Sequence, residues 1–342
     1  MSVASILTEN DLEDRLSEPT EAVIEMLARL PGDILFLGVA GKMGPSMTRM
    51  ARRASDLAGM KRRVIGVARF TDSSVTQLQS WGVETIRCDL LDEAAVARLP
   101  DAPSIVYLAG RKFGSTGDEP LTWAMNCVVP AIVCQRFRSS RIVALSTGNV
   151  YGLVDVAGSG SRETDPLTPV GEYAQSCLGR ERVFQHFSRA HGTPTALIRL
   201  NYACDLRYGV LVDLARSVWE GRPVDLRMGH FNTIWQGDAN ALTLTALGQA
   251  ASPAWVVNIT GPEKLSVREI CEHFGSVMNR PVEFAGREEP TALLSDCSRS
   301  LHSLGSLRVP AATLIEWVTE WTMSGGRLLG KPTHFESRDG KF

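Results

Sequence analysis

The sequence predicts an α/β fold, a doubly wound parallel sheet carrying a smaller C-terminal lobe. Short apolar runs alternate with longer segments of helical spacing through the first two hundred or so residues, the pattern of strands buried on both faces and joined by crossover helices. The first run leads directly into a glycine cluster that opens a helix. Beyond Leu200 the rhythm breaks into irregular stretches marked by Pro and Gly.

In chain order, residues 1–30 read as a helical extension. Apolar residues recur at helical spacing from Glu21 to Leu30, with Pro19 ahead of them and Pro31-Gly32 as a stop. The first strand is predicted over residues 33–37, followed by a helix through Ala58. Further strands are predicted at residues 63–68, 83–88, 104–109, 141–146 and 195–199. Residues 31–200 then form a dinucleotide-binding domain to which residues 233–262 return. Residues 201–232 and 263–342 build the second lobe over the carboxyl ends of the strands, where ligands bind in open α/β sheets. The polar, glycine-containing residues 325–342 are expected to run as a surface arm.

Composition narrows the function classes. The 342 residues suffice for a large core and one or two domains. A net charge of −2 gives no reason to expect nucleic acid or an anionic membrane as partner. The seven cysteines are scattered without a C-x-x-C pair, as expected of reduced thiols in a cytosolic protein. The six histidines show no ligand spacing, so no metal is expected. The N-terminus is acidic without a long apolar core, and no apolar run is long enough to span a bilayer. These features favour the cytoplasm.

The segment Gly38-Val39-Ala40-Gly41-Lys42-Met43-Gly44 follows the first strand and opens a helix. In that context it is the Rossmann-type phosphate loop: glycines allow a tight turn and close backbone approach, and the helix N-terminus offers free N–H groups to a pyrophosphate. Gly38, Gly41, Lys42, Met43 and Gly44 are therefore candidate cofactor contacts. The second strand ends in Ala68-Arg69, where an acid would hold the ribose 2′-hydroxyl of NAD. Arg69 suits a 2′-phosphate instead, so NADP is expected over NAD.

Chemistry concentrates in two further segments, Ser146-Thr147-Gly148-Asn149-Val150-Tyr151-Gly152 and Gly171-Glu172-Tyr173-Ala174-Gln175-Ser176-Cys177-Leu178-Gly179-Arg180-Glu181. With Tyr107-Leu108-Ala109-Gly110-Arg111-Lys112 and Asn126, they resemble the extended short-chain dehydrogenase/reductase family of NAD(P)-dependent epimerases and dehydratases. The likeness runs from about Asp33 to Trp321. It implies that Tyr173 is the acid/base, that the Thr147 hydroxyl is its partner, and that Asp89 and Leu90 contact adenine. It also implies that Leu108, Ala109, Gly110, Lys112 and Asn126 border the cofactor. A carbohydrate-derived small-molecule substrate and a homodimer, paired through two helices including that of Tyr173, are likewise implied.

Two departures from the family pattern matter. Gly148-Asn149 replaces the acid pair common in nucleotide-sugar 4,6-dehydratases, and neither residue is a carboxyl acid or base. Cys177 stands where the family carries lysine, four residues after the tyrosine and on its helix face. A lysine there would lower the phenol's pKa from roughly 10; a thiol does not. Three readings stay open. Another cation serves, Lys112 being the best candidate and Arg111 a weaker one; or a neutral tyrosine donates a proton in a reductase; or the fold binds a dinucleotide as a non-catalytic sensor or regulatory subunit. Cys177 itself reads as a buried, inert thiol. On the substrate side Asn201, Arg207, His230 and Asn232 are candidates, Arg207 being equally readable as half of a structural ion pair and His230 as a structural histidine.

Overall fold

The computed structural model of the protein describes residues 6–70, 74–112 and 117–341. Its centre is a seven-stranded parallel sheet. In chain order the strands are β1 (Ile34–Leu37), β2 (Val64–Ala68), β3 (Glu84–Arg87), β4 (Ser104–Tyr107) and β5 (Arg141–Thr147), followed by Thr195–Leu200 and Trp255–Ile259. In space the order is Trp255–Ile259, Thr195–Leu200, β5, β4, β1, β2, β3. The order reverses between β1 and β4, which pair in parallel with Leu37 opposite Tyr107. A crevice opens outside the carboxyl ends at such a switch point.

Ile34–Leu37, Val64–Ala68 and Ser104–Tyr107 are buried at every position, because helices cover both faces. The third strand departs from the expected doubly buried run. Glu84 and Arg87 are exposed and Thr85 and Ile86 half-buried, since β3 is the sheet edge, and charged ends on an edge strand deter further pairing.

The helix α3 (Gly44–Leu57) follows β1 with Pro45 in its first turn and no side chain capping its N-terminus. Its first N–H groups are left to the crevice, while Met47, Met50, Ala51 and Ala54 pack on the sheet. The N-terminal helices straddle both cores. The first, α1 (Glu9–Leu16), is closed by a Thr8–Asp11 capping box and sends Leu12 and Leu16 into the lobe. The second, α2 (Glu21–Arg29), is capped by Thr20 and sends Val23 and Leu27 under the sheet.

In the lobe the helices Val210–Trp219, Val267–Met278 and Ala311–Met323 pack around Phe231, Trp235 and Phe274. The arm expected at the surface has Lys331, Asp339 and Lys341 exposed but is packed onto the lobe. Thr333 is 3% and Phe335 6% exposed, the Phe335 ring lying 6.1 Å from that of Phe231. Arg338 donates to the Thr291 carbonyl (2.7 Å) and hydroxyl (2.6 Å) and to the Arg227 carbonyl (2.9 Å). Gly340 abuts Gly171, whose φ is +81° and where a Cβ would come within 2.4 Å of the Gly340 carbonyl oxygen. Part of the arm's polar composition thus reflects groups paired within the molecule, beside exposed ones such as Lys331, Asp339 and Lys341.

Candidate active site

A cavity of about 1040 Å³ opens along the carboxyl ends of the strands. Its floor is the glycine loop. Gly38 (φ +89°) has its missing side chain against Ala109, where a Cβ would lie 2.7 Å from the backbone nitrogen, and a Cβ on Gly44 would overlap the Val39 carbonyl. A Cβ on Gly41 would meet only the Gly38 carbonyl oxygen, 3.5 Å away. Gly38 and Gly44 therefore serve the tight turn and helix packing, and Gly41 leaves backbone open to the cavity. With the uncapped start of α3, this cradle fits a dinucleotide pyrophosphate.

Thr147 and Tyr173 meet on the cavity wall. Thr147 ends β5, and its Oγ1 accepts from the Asn149 side-chain amide (2.9 Å) and backbone N–H (3.2 Å). The Thr147 hydroxyl proton is thereby left for the Tyr173 hydroxyl, to which Thr147 is hydrogen-bonded. Asn149 thus orients the threonine, a role that its place in a lost acid pair did not signal.

On the other side, the Tyr173 hydroxyl is in hydrogen-bonding contact with Cys177. Cys177 is wholly buried, and the buried guanidinium of Arg180 donates to its sulfur at 3.6 Å. Arg180 is held by the Leu145 carbonyl (2.8 Å) and the Asn126 side-chain oxygen (2.5 Å). Burial pushes the Tyr173 phenol well above its ordinary value, and Cys177 adds to this; Arg180 and the Thr147 hydrogen bond oppose it. Burial likewise raises the Cys177 thiol, against the pull of Arg180, leaving it neutral and inert.

Lys42, Lys112 and Lys331 line the same space. Lys112 Nζ lies 5.9 Å from the centre of the Tyr173 ring and donates to the Thr333 carbonyl at 2.9 Å. Burial lowers its pKa to about 8, partly offset by Asp213. Lys42 Nζ sits 3.1 Å from the centre of the Tyr208 ring. Burial, with Lys112 and Lys331 nearby, lowers its pKa to about 7.

Gly41, Lys42, Met43, Gly44, Arg69, Leu108, Gly110, Lys112, Thr147, Tyr173, Asn201 and Arg207 all line this one cavity. Other candidates lie outside its wall. Ala109 is buried behind Gly38. Leu90 is a core residue, and the Asp89 carboxylate accepts from the Leu91 N–H at 3.0 Å. Asn126 is fully buried, bonded to Arg111, Ser176 and Arg180, and acts as a brace rather than a wall.

The substrate candidates need correction. Arg207 reaches the cavity, but its guanidinium is engaged by Glu13 (2.6 Å) and Asp205 (2.9 Å). Asn232 is 4% exposed and accepts from the Ser295 N–H at 2.9 Å. His230 pairs in a two-stranded ribbon with Ser266. For Arg207 and Asn232 the side chain is taken by a distant partner, Glu13 and Ser295, that local spacing does not reveal, whereas His230 is placed by its backbone pairing. Arg111 is similarly paired with Asp118 at 3.0 Å. Tyr202, on the cavity wall with a left-handed φ of 47°, was missed because a non-glycine residue carries no sequence signal for that conformation.

The sequence model of the NAD dependent epimerase/dehydratase family matches residues 34–204. The chain belongs to that family. It is accordingly an enzyme of the extended short-chain dehydrogenase/reductase type, NAD(P)-dependent, and its parallel sheet is the family's. Compared with curated proteins, the chain matches none. Among solved structures it is similar to Pal from Bacillus thuringiensis, with 18% identity over 85% of this chain and 99% of that one, at a TM-score of 0.71. It is similar to UDP-glucuronic acid 4-epimerase from Bacillus cereus, solved with UDP-glucuronic acid and NAD, with 17% identity, 86% and 99% coverage and a TM-score of 0.70. dTDP-glucose 4,6-dehydratase from Bacillus anthracis, solved with NAD, gives 15%, 86% and 97% coverage and 0.71. Among the described residues no helix is long and apolar enough to cross a membrane, and no group of His, Cys, Asp and Glu could hold a metal.

Proposed function

We propose that this enzyme transfers a hydride between a nicotinamide cofactor and a carbohydrate-derived substrate, most simply a nucleotide sugar, with Tyr173 moving the proton. The observation that carries this reading is the meeting of the Tyr173 and Thr147 hydroxyls on one wall of the cavity that the glycine loop floors. Gly41, Lys42, Met43 and the first turn of α3 would hold the cofactor's phosphates, and the nicotinamide, when bound, supplies the hydride acceptor or donor. The Thr147 hydroxyl, donating to Tyr173, would orient the phenol toward the reacting substrate oxygen. The Tyr173 phenol, neutral at working pH because of its burial, donates its proton to an oxygen gaining negative charge, which favours the carbonyl-reducing direction. The Lys112 and Arg180 cations then stabilise the phenolate left behind. Chains would pair through the Tyr173 helix and its neighbour, where Trp123 and Val128 are exposed.

Tyr173→Phe should lower turnover by about 10²–10⁴-fold while cofactor affinity stays as in the wild type. Turnover is followed by NAD(P)H absorbance across a panel of UDP- and dTDP-sugars. Wild-type turnover in that variant would remove Tyr173 from the mechanism.

Between the two cofactors we favour NADP, on Arg69 at the cavity edge and the absence of an acid at Ala68. Fluorescence titration should give tighter binding of NADPH than NADH, and Arg69→Ala should cost NADPH about tenfold and leave NADH unchanged. Tighter NADH binding in the wild type would overturn the preference.

A further inference from the structure

The Lys112 side chain is a flexible four-carbon stem, and a point charge serves a phenol only if something fixes where it sits. We infer that the C-terminal arm is a working part of this active site and that Asp213, through Thr333, positions the Lys112 ammonium beside Tyr173. The inference rests on the reading that Lys112 serves Tyr173.

Three hydrogen bonds carry it. One carboxylate oxygen of Asp213, on the helix Val210–Trp219, accepts both the Thr333 N–H (2.7 Å) and the Thr333 hydroxyl (2.6 Å). Two donors from one residue onto one oxygen fix the backbone there. The Thr333 carbonyl then accepts from Lys112 Nζ at 2.9 Å, and the same ammonium faces the Tyr173 ring. Asp213 and Lys112 lie 101 positions apart in sequence, and Thr333 joins them by hydrogen bonds. The charged and titratable groups around Lys112 are Asp213 from the lobe, Cys177 from the Tyr173 helix, Glu336 from the arm, and Lys42 across the cavity.

The arm is built to stay. Phe335 is buried beside Phe231, Arg338 is bonded to Thr291 and Arg227, and Gly340 closes on Gly171 at the start of the Tyr173 helix. Leu329, Lys331 and Thr333 line the cavity, so the wall is incomplete without them. Asp213 touches no reacting group in this arrangement; it is a positioning residue.

The test is trace acetylation with acetic anhydride between pH 6 and 10, the Lys112 peptide being quantified by mass spectrometry. The chain has only six lysines, and exposed Lys61 serves as internal reference. Asp213→Asn keeps the shape and removes the charge. It should lower the Lys112 midpoint by about one unit and raise its reactivity at neutral pH severalfold, with Lys61 unmoved. Asp213→Glu should return the midpoint most of the way to the wild-type value. A folded Asp213→Asn protein with wild-type Lys112 midpoint and reactivity overturns the inference. If that variant does not fold, Thr333→Val, which removes one of the two donors and keeps the carbonyl, should raise Lys112 reactivity by a smaller factor; no change there overturns it equally. Turnover of Lys112→Met separately decides whether Lys112 serves Tyr173, so the two readings fail on different measurements.

Discussion

A guanidinium nitrogen of Arg180 lies 3.6 Å from the sulfur of Cys177, so a buried cation borders the position where the family resemblance implies a lysine. Positions 173, 177 and 180 share one face of the Gly171–His191 helix. The cation on this face sits at its third position and is a guanidinium that stays charged at every working pH. It is locked by Asn126 and Leu145 and packed under Gly110, where a Cβ would come within 2.4 Å of it.

Restoring the family residue alone should therefore fail. Cys177→Lys places a second cation in the dry space already held by Arg180, with a longer side chain than the site encloses. We expect a loss of about 2 kcal/mol or more by urea denaturation, with no gain in turnover. Adding Arg180→Met should recover part of that loss, so the double variant is more stable than Cys177→Lys alone. Additive losses across the cycle would mean that the two positions do not share the space.

What the sequence made legible follows the range of the forces involved. The glycine loop and the strand rhythm are local patterns and lie where the sequence places them; that Thr147 and Tyr173 share a wall came only from the family resemblance. The Tyr173, Cys177, Arg180 spacing was also readable, but an arginine on a helix face is usually solvated, and only burial reveals this one as part of the centre. Asn149 looked like a lost acid; its use is to turn Thr147. Arg207 pairs with Glu13, 194 positions away, and Lys112 with Thr333, 221 away. No periodicity encodes such contacts. The arm's polar residues did not signal its anchors at Thr333 and Phe335, because polarity does not say whether the partner is water or protein.

The glutamate that ends the active-site motif anchors the helix. Glu181 is wholly buried and accepts three hydrogen bonds from Arg199, the shortest 2.8 Å, and one from the Ser146 hydroxyl at 2.6 Å. Arg199 continues to the Tyr151 hydroxyl at 2.7 Å, which donates to Asn258 at 2.8 Å. Glu181→Gln strands a guanidinium in the core, and Arg199→Met strands a carboxylate; each should cost roughly 3–5 kcal/mol. The double variant Glu181→Leu/Arg199→Met should cost less than either, because no charge is left unpaired. Thermal or urea unfolding of the three proteins checks the order, and a double variant less stable than both singles would contradict it.

The two cations beside Tyr173 differ in one measurable property, titration, and pH can separate them. Lys112 has a folded pKa of about 8 against 10.5 in the unfolded chain, and Lys42 about 7. Between the folded and unfolded values the unfolded chain binds more protons, so these lysines make stability rise with pH from about 7 toward 10.5. Lys112→Met should flatten that rise between about 8 and 10.5 when urea unfolding is compared at the two ends. Turnover should move in the opposite sense. If the ammonium of Lys112 stabilises the phenolate, turnover falls as pH rises through about 8, and that limb disappears in Lys112→Met. Arg180 keeps its charge throughout and cannot produce the limb. A falling limb that survives unchanged in Lys112→Met would transfer the titration to another group and leave Arg180 as the cation that serves Tyr173.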